Sequence, residues 1–309
     1  MKNNKLMSVA KSLWGTMLYY HNRRLYKKDP RLAANALFKR VYERSMDLDN
    51  PKHLIEKITW LQLNTDTSLW TLCADKYRVR EYVEQCGLGD NMPKLYGHWD
   101  TPDEVDLSGL PDQFVLKANN GCGTVKIVRD KKTLDLRSLK STFKKWLRRP
   151  YGYHGAQSHY LRIKPCILAE ELLANTGEQL FFSPSSLVDY KVWCFGGKPE
   201  CCLITYNRAS YGGGVSIDLY DANWNRLDNY VQSNSHYHFN KDILIPKPDC
   251  WDEMLRIASI LSKPFPEVRV DFYNVNGKPY IGELTFTSGY GYFTDEYYNY
   301  LGSKVDIGR

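Results

Sequence analysis

Hydrophobic and polar positions along the chain follow two rhythms. Between about residues 30 and 90 the apolar residues fall at helical spacing. NPKHLIEKITWLQL is one such run, and ADKYRVREYVEQCGLG repeats it and stops at Gly87 and Gly89. Beyond residue 90 the pattern shortens to strand-like runs, KLYGHW, FVLKAN and VKIVRD, then ILAEELL, DYKVWCFG and PECCLITYN, divided by Gly, Pro, Asn and Asp. Two helices are predicted among them, at SLKSTFKKWLRR and PDCWDEMLRIASILSK. FGGKPE and NVNGKP read as hairpin turns, which favours antiparallel pairing, so the fold class is α+β.

At 309 residues, 43% hydrophobic and 25% charged, the chain suffices for one large core or two to three smaller ones. Its eight cysteines lack CxxC spacing and follow no cleavable signal, so reduced thiols in a cytoplasmic protein are expected, with no metal or disulfide framework. The net charge of +7 is uneven: residues 1–44 hold eleven Lys or Arg against only Asp29 and Glu43. Within this arm, SVAKSLWGTMLYYHNRRLYKK sets Val9, Leu13, Leu18 and Leu25 among aromatics, interrupted by Lys11. That falls short of the roughly 20 apolar residues a membrane span needs. A basic amphipathic helix carrying Trp14 and Tyr19 suits either a face over a domain core or peripheral contact with an anionic membrane. The basic residues form no nucleic-acid reading motif, so no nucleic-acid partner is expected.

Two stretches carry chemistry. FVLKANNGCGTVKIV puts Lys117 at a strand end, followed by Gly121, Cys122, Gly123 and Thr124. Such a loop lets backbone N–H groups approach phosphate oxygens, with the lysine adding a point charge, though many ordinary hairpins contain glycines too. RVDFYNVNGKPYIGELTFTSGYG flanks an Asn276-Gly277 turn with two acidic residues. By period-two alternation Arg269 shares a face with Asp271, and Glu283 with Thr285. Two carboxylates meeting across the pair call for a proton or a hard cation such as Mg²⁺ between them. Val270, Phe272, Ile281 and Leu284 predict that the opposite face is covered, making these residues a polar floor and not an open surface.

Together these stretches resemble the ATP-grasp superfamily, and more narrowly its TupA-like branch, found with bacterial capsule and teichuronopeptide biosynthesis genes. CADKYRVREYV, FVLKANNGCG, ILAEELL, DYKVWCFGGKP, VSIDLYDANWNRL and RVDFYNVNGKPYIGELTFTSG carry the resemblance, in the family's order. It implies two α+β subdomains gripping ATP behind an N-terminal helical region. The expected divisions are 1–72 as the basic helical region, 73–110 as a pre-grasp segment, 111–169 as the lid subdomain and 170–309 as the C-terminal subdomain with the metal site.

The resemblance also implies roles. Lys76 and Lys117 look like the lysines that contact nucleotide phosphates, with Lys191 an additional phosphate or substrate contact. Gly121, Gly123 and Thr124 belong to the lid. Glu170, Glu171 and Leu172 look like the hinge that meets the adenine, and Glu178 is a ribose candidate. Asp271 and Glu283 look like Mg²⁺ ligands. Thr285, also counted with the metal, stands where many superfamily members carry Asn, although the TupA-like branch often reads ExT here. Arg269 looks like the residue that steadies the carboxyl group being phosphorylated.

The expected activity is an ATP-dependent carboxylate-amine ligase working through an acylphosphate. It would join an amino acid or amine to a uronic acid of a capsular or surface polysaccharide precursor, a sugar or lipid-linked oligosaccharide. Acceptor recognition is expected in NRASYGGGVSIDLYDANWNRL, chiefly at Arg208, with Tyr211, Trp224 and Arg226 nearby. His236 and His238 read as surface histidines. A nucleotide-sugar glycosyltransferase and a non-catalytic nucleotide-binding scaffold are the alternatives. A glycosyltransferase would more typically show a Rossmann-like half or a DxD motif, and intact Lys117, Arg269, Asp271 and Glu283 argue against a scaffold.

Overall fold

The structure is a computed structural model that describes residues 2–209 and 214–308, with side chains from residue 14 onward. Tyr211, and the side chains of Val9 and Leu13, lie outside the described residues. The helical N-terminal part comprises α1 (Lys2–Lys28), α2 (Pro30–Tyr42), α3 (Leu54–Asn64), α4 (Ser68–Ala74) and α5 (Val79–Gln85). Their starts are written locally. Asp29 accepts the Arg31 N–H ahead of α2, with Pro30 in the first turn. At α3, His53 Nδ1 accepts from the Ile55 N–H while Glu56 reaches back to the His53 N–H.

The strands follow as β1 (Leu95–Trp99), β2 (Phe114–Ala118) and β3 (Val125–Val128), then α6 (Leu136–Leu147), α7 (Ser158–Leu161), β4 (Ile167–Glu170) and α8 (Gln179–Phe182). After these come β5 (Asp189–Phe195), β6 (Lys198–Tyr206), β7 (Val215–Asp221), β8 (Tyr237–His238), α9 (Trp251–Ser262), β9 (Val268–Val275), β10 (Lys278–Thr285) and α10 (Asp295–Ser303).

Two sheets result. The smaller has the order β1-β4-β2-β3, all antiparallel, and draws β1 from residues 73–110. Leu139 and Phe143 of α6 pack on its Phe114, Leu116, Ile167 and Ala169. The larger has the order β10-β9-β5-β6-β7-β8, antiparallel except where β8 joins β7. Trp251, Met254, Ile257, Ala258 and Leu261 of α9 form a buried stripe against β5, β6 and β9. Tyr190, Val192, Val270 and Phe272, fully or almost fully buried, alternate with Lys191, Asp271 and Arg269. One sheet face therefore supplies core and the other a polar floor. The mixed α+β class, the two hairpins and the helical N-terminal region all stand as the sequence predicts.

Candidate active site

The floor is built on the β9–β10 hairpin. Asn276 and Gly277 both adopt positive φ, 52° and 75°, the geometry of a tight two-residue turn. From it, residues pair regularly as far as Phe272 with Ile281, and then the register shifts. Gly282 is the extra residue, so Asp271 pairs with Glu283 and Arg269 with Thr285. A side chain at Gly282 would meet Tyr273 Cε2 at 2.8 Å and the Asp271 carbonyl at 3.3 Å.

Charges on this floor are tightly matched. Arg269 donates Nε to Asp271 Oδ1 at 2.6 Å and Nη2 to Oδ2 at 2.7 Å, the forked geometry of a strong charge-assisted pair. Its Nη2 also donates to Thr285 Oγ1 at 3.1 Å, and its guanidinium lies 5.2 Å from the Trp193 ring centroid. Lys191 donates to Asp271 Oδ2 at 2.7 Å and lies 3.5 Å from Asp189. Burial alone would lower the Lys191 pKa, but Asp189 and Asp271 outweigh it and raise it. Asp189 in turn accepts from Thr205 Oγ1 at 2.8 Å and from Arg208 at 3.2 Å.

A second set of cations comes from the turn between α4 and α5, from α5 and from β2. Lys76 donates to the Gly121 carbonyl at 2.7 Å and stands 3.6 Å from Glu283, so it bridges the glycine loop and the floor. Its segment is tied to that loop by Asn119, which donates to Asp75 at 2.9 Å. Lys117 lies 2.5 Å from Glu170, and Arg80 binds the other Glu170 oxygen at 2.6 Å. Burial pushes the Glu170 carboxyl up, yet Lys117 and Arg80 together hold it below the ordinary range. Glu283 behaves likewise: burial raises it, and Lys76, Lys191, Arg269 and Lys117 outweigh that and hold it at about 2.

Lys76, Lys117, Lys191, Gly121, Arg269, Asp271, Glu283 and Thr285 thus converge on one cleft, and Arg208 joins through Asp189. Gly123 and Thr124 continue the glycine loop toward β3, Gly123 exposed and Thr124 partly so. The Glu171 N–H is bonded to the Lys94 carbonyl at 2.9 Å, and Leu172 follows it at the end of β4, part-exposed. Glu178 is exposed at the start of α8. Trp224 and Arg226 fall elsewhere: Arg226 is locked onto buried Asp218 at 2.8 Å, and Trp224 stacks on Tyr220. His236 and His238 are exposed, as expected of surface histidines.

Sequence reading missed several residues. Asp189 was legible, since it shares the Lys191 face by period two. Arg80 sits one helical turn after Lys76, a signal too common to single out. Three tyrosines had no signal at all, because loops and short elements bring them in. Tyr151 and Tyr160 interact electrostatically with Glu283, and Tyr237 with Arg269, Arg208 and Lys191. Of the three, Tyr151 packs beside Gly121 of the glycine loop.

The donors present fit Mg²⁺. Asp271 and Glu283 offer hard carboxylate oxygens facing each other, the Asp271 pair already accepting from Arg269 and Lys191, with the Thr285 hydroxyl 3.4 Å from Glu283. Glu283 is ionised, its side chain is 36% exposed, and its own contacts to Lys76 and Arg269 are long, at 3.6 and 3.7 Å. Among the described residues no group of three or more His, Cys, Asp or Glu could hold a metal by itself. Two carboxylates completed by substrate phosphates is the usual way magnesium is held.

The family model for TupA-like ATP-grasp proteins matches residues 56–306. The chain belongs to the TupA-like ATP-grasp family. Its similarity to solved structures is remote. A D-alanine–D-alanine ligase from Bacillus anthracis complexed with ATP shares 16% identity, with a TM-score of 0.42, over 71% of this chain and 56% of that one. The ATP-grasp ligase PsnB complexed with minimal precursor, Mg and ADP shares 11% identity at a TM-score of 0.38, over 76% and 58%. The D-alanine–D-alanine ligase from Helicobacter pylori shares 11% at 0.41, over 77% and 60%. The match therefore spans less than two thirds of the length of these ligases. No curated protein matches the chain.

Proposed function

We propose that this TupA-like ATP-grasp protein is an ATP-dependent carboxylate-amine ligase. Its substrates are a uronic acid of a bacterial capsular or surface polysaccharide precursor and an amino acid or amine. The observation that carries the reading is the convergence of Lys76, Lys191 and Arg269 around the facing carboxylates Asp271 and Glu283, with Lys117, paired to Glu170, acting on Glu283 at longer range. Such an array suits a polyphosphate whose charge is redistributed as a phosphoryl group moves.

In this reading a substrate carboxylate oxygen attacks the γ-phosphorus of ATP. The bond from that phosphorus to the β–γ bridging oxygen breaks, ADP leaves, and an acylphosphate forms. The amine then attacks the acyl carbon, inorganic phosphate departs, and the amine loses a proton, leaving an amide. Arg269, fixed by its fork onto Asp271 and by Thr285, holds the attacking carboxylate in line. Lys76 and Lys117 take the phosphate oxygens under the Gly121–Thr124 loop, and Lys191 neutralises charge at the floor. Asp271, Glu283 and Thr285 would hold magnesium, which when bound would neutralise charge on the phosphates. No covalent nucleophile from the protein is required.

The test is ADP release with MgATP, hydroxylamine as a generic nucleophile, and a panel of uronic acids and amino acids. Carboxylate-dependent ADP release with hydroxamate formation, lost in Asp271→Asn, is the expected result. ATP consumption without hydroxamate for any carboxylate would overturn it.

A further inference from the structure

Helix α1 carries two opposed stripes. Thr16, Tyr19, Arg23 and Tyr26 face the protein. Arg149 reaches Thr16 Oγ1 at 3.2 Å, Tyr153 packs edge-on against Tyr19 and Tyr26, and the Tyr26 hydroxyl donates to Ser158 at 3.1 Å. On the other side Trp14, Met17, His21, Arg24 and Lys28 recur at spacings of three and four, with Tyr20 and Lys27 beside them. Trp14, Met17 and Tyr20 are 69%, 67% and 56% exposed, an unusual cost for a tryptophan and a methionine one turn apart.

C-terminal to this apolar stretch the exposed residues are His21, Arg24, Lys27 and Lys28, and the 27-residue helix contains no acidic residue. Apolar and aromatic side chains next to a cationic band match the boundary of an anionic bilayer, where rings sit at headgroup level and Lys or Arg meet phosphates. Among the described residues no helix is long and apolar enough to cross a membrane. We infer that α1 docks the protein on an anionic membrane surface through Trp14, Met17 and Tyr20, with Arg24, Lys27 and Lys28 on the lipid phosphates. None of these residues belongs to the cleft, so membrane binding and ligase turnover fail separately.

The experiment is vesicle flotation of the full chain with phosphatidylcholine alone or mixed with phosphatidylglycerol. The protein should float with the mixed vesicles only and be released by salt. Arg24→Gln and Lys28→Gln should each weaken binding about fivefold. The triple change Trp14→Ser, Met17→Ser, Tyr20→Ser should weaken it about tenfold or more, from the lost apolar burial. These exposed changes should leave the thermal midpoint and ATP binding unaltered, which controls for folding. Absence of flotation on anionic vesicles at low salt overturns the inference, as does flotation indifferent to the serine changes. A lipid-free dimer abolished by the same serine changes would instead make the stripe a self-association surface.

Discussion

Glu283 stands directly opposite Asp271 across β9 and β10, and it does so only because Gly282 is inserted between Ile281 and Glu283. With the regular register of the turn continued, Gly282 would pair with Asp271. Glu283 would then project with Val270 and Phe272 into the α9 core, since one residue of slip exchanges the faces. Gly282→Ala puts a methyl group within 2.8 Å of Tyr273 and 3.3 Å of the Asp271 carbonyl, so the bulge must shift. ADP release is expected to fall by about tenfold or more, because ångström displacements of catalytic groups are that costly. The thermal midpoint should drop by only a few degrees. Steady-state kinetics beside a melting curve measures both, and unchanged turnover would show that the bulge does not set the carboxylate pair.

Glu170 neutralises Lys117 and Arg80 at 2.5 and 2.6 Å while itself 3% exposed. Glu170→Gln keeps the shape and leaves two cations facing a neutral amide. Breaking a buried pair from one side costs about 3 kcal/mol or more, and urea denaturation should show a loss of that order. Adding Lys117→Met should recover part of it, since the two positions share one network. Strictly additive losses would mean that Glu170 is held by Arg80 alone.

How much of this was legible depended on what each residue type is constrained by. Strand alternation gave the polar floor, and turn chemistry at Asn276-Gly277 gave the hairpin. Facing of Asp271 and Glu283 was expected from their sharing faces with Arg269 and Thr285. The bulge that makes it possible left only an isolated glycine as its trace. Lys117 and Gly121 were visible as a strand end and loop, whereas the Arg80–Glu170 contact spans 90 residues and obeys no local period. Arg226 illustrates the converse. Its sequence neighbourhood suited ligand recognition, yet Asp218, wholly buried, claims its guanidinium.

Arg208 is half exposed, anchored at 3.2 Å by Asp189, and shares the cleft with Tyr237. A half-exposed guanidinium suits the carboxylate of a carboxylated sugar. Arg208→Ala should raise the acceptor KM about tenfold, the value of one hydrogen bond to a charged group, and leave ATP affinity within about twofold. Tyr237→Phe should act in the same direction more weakly. Equal losses for ATP and acceptor would move Arg208 from the acceptor to the phosphates.

Glu267 precedes Arg269 by two residues and is fully buried, with Arg269 and Trp193 as its polar neighbours. Burial pushes its pKa well above the usual carboxylate value, with Arg269 and Trp193 pulling less strongly the other way. The folded chain therefore keeps this proton at pH values where the unfolded chain has released it. The contribution of Glu267 to stability falls as pH rises above the ordinary carboxylate value, by up to about 1.4 kcal/mol per pH unit, until the raised pKa is reached. Below the ordinary carboxylate value the group makes no pH-dependent contribution. Glu267→Gln is neutral throughout and removes this slope. Melting temperatures of the two proteins should agree near about pH 4 and separate toward pH 8 with the glutamine variant higher. A gap that does not change with pH would refute the raised pKa, and a glutamine variant that melts lower at pH 8 would make Glu267 an ionised partner of Arg269.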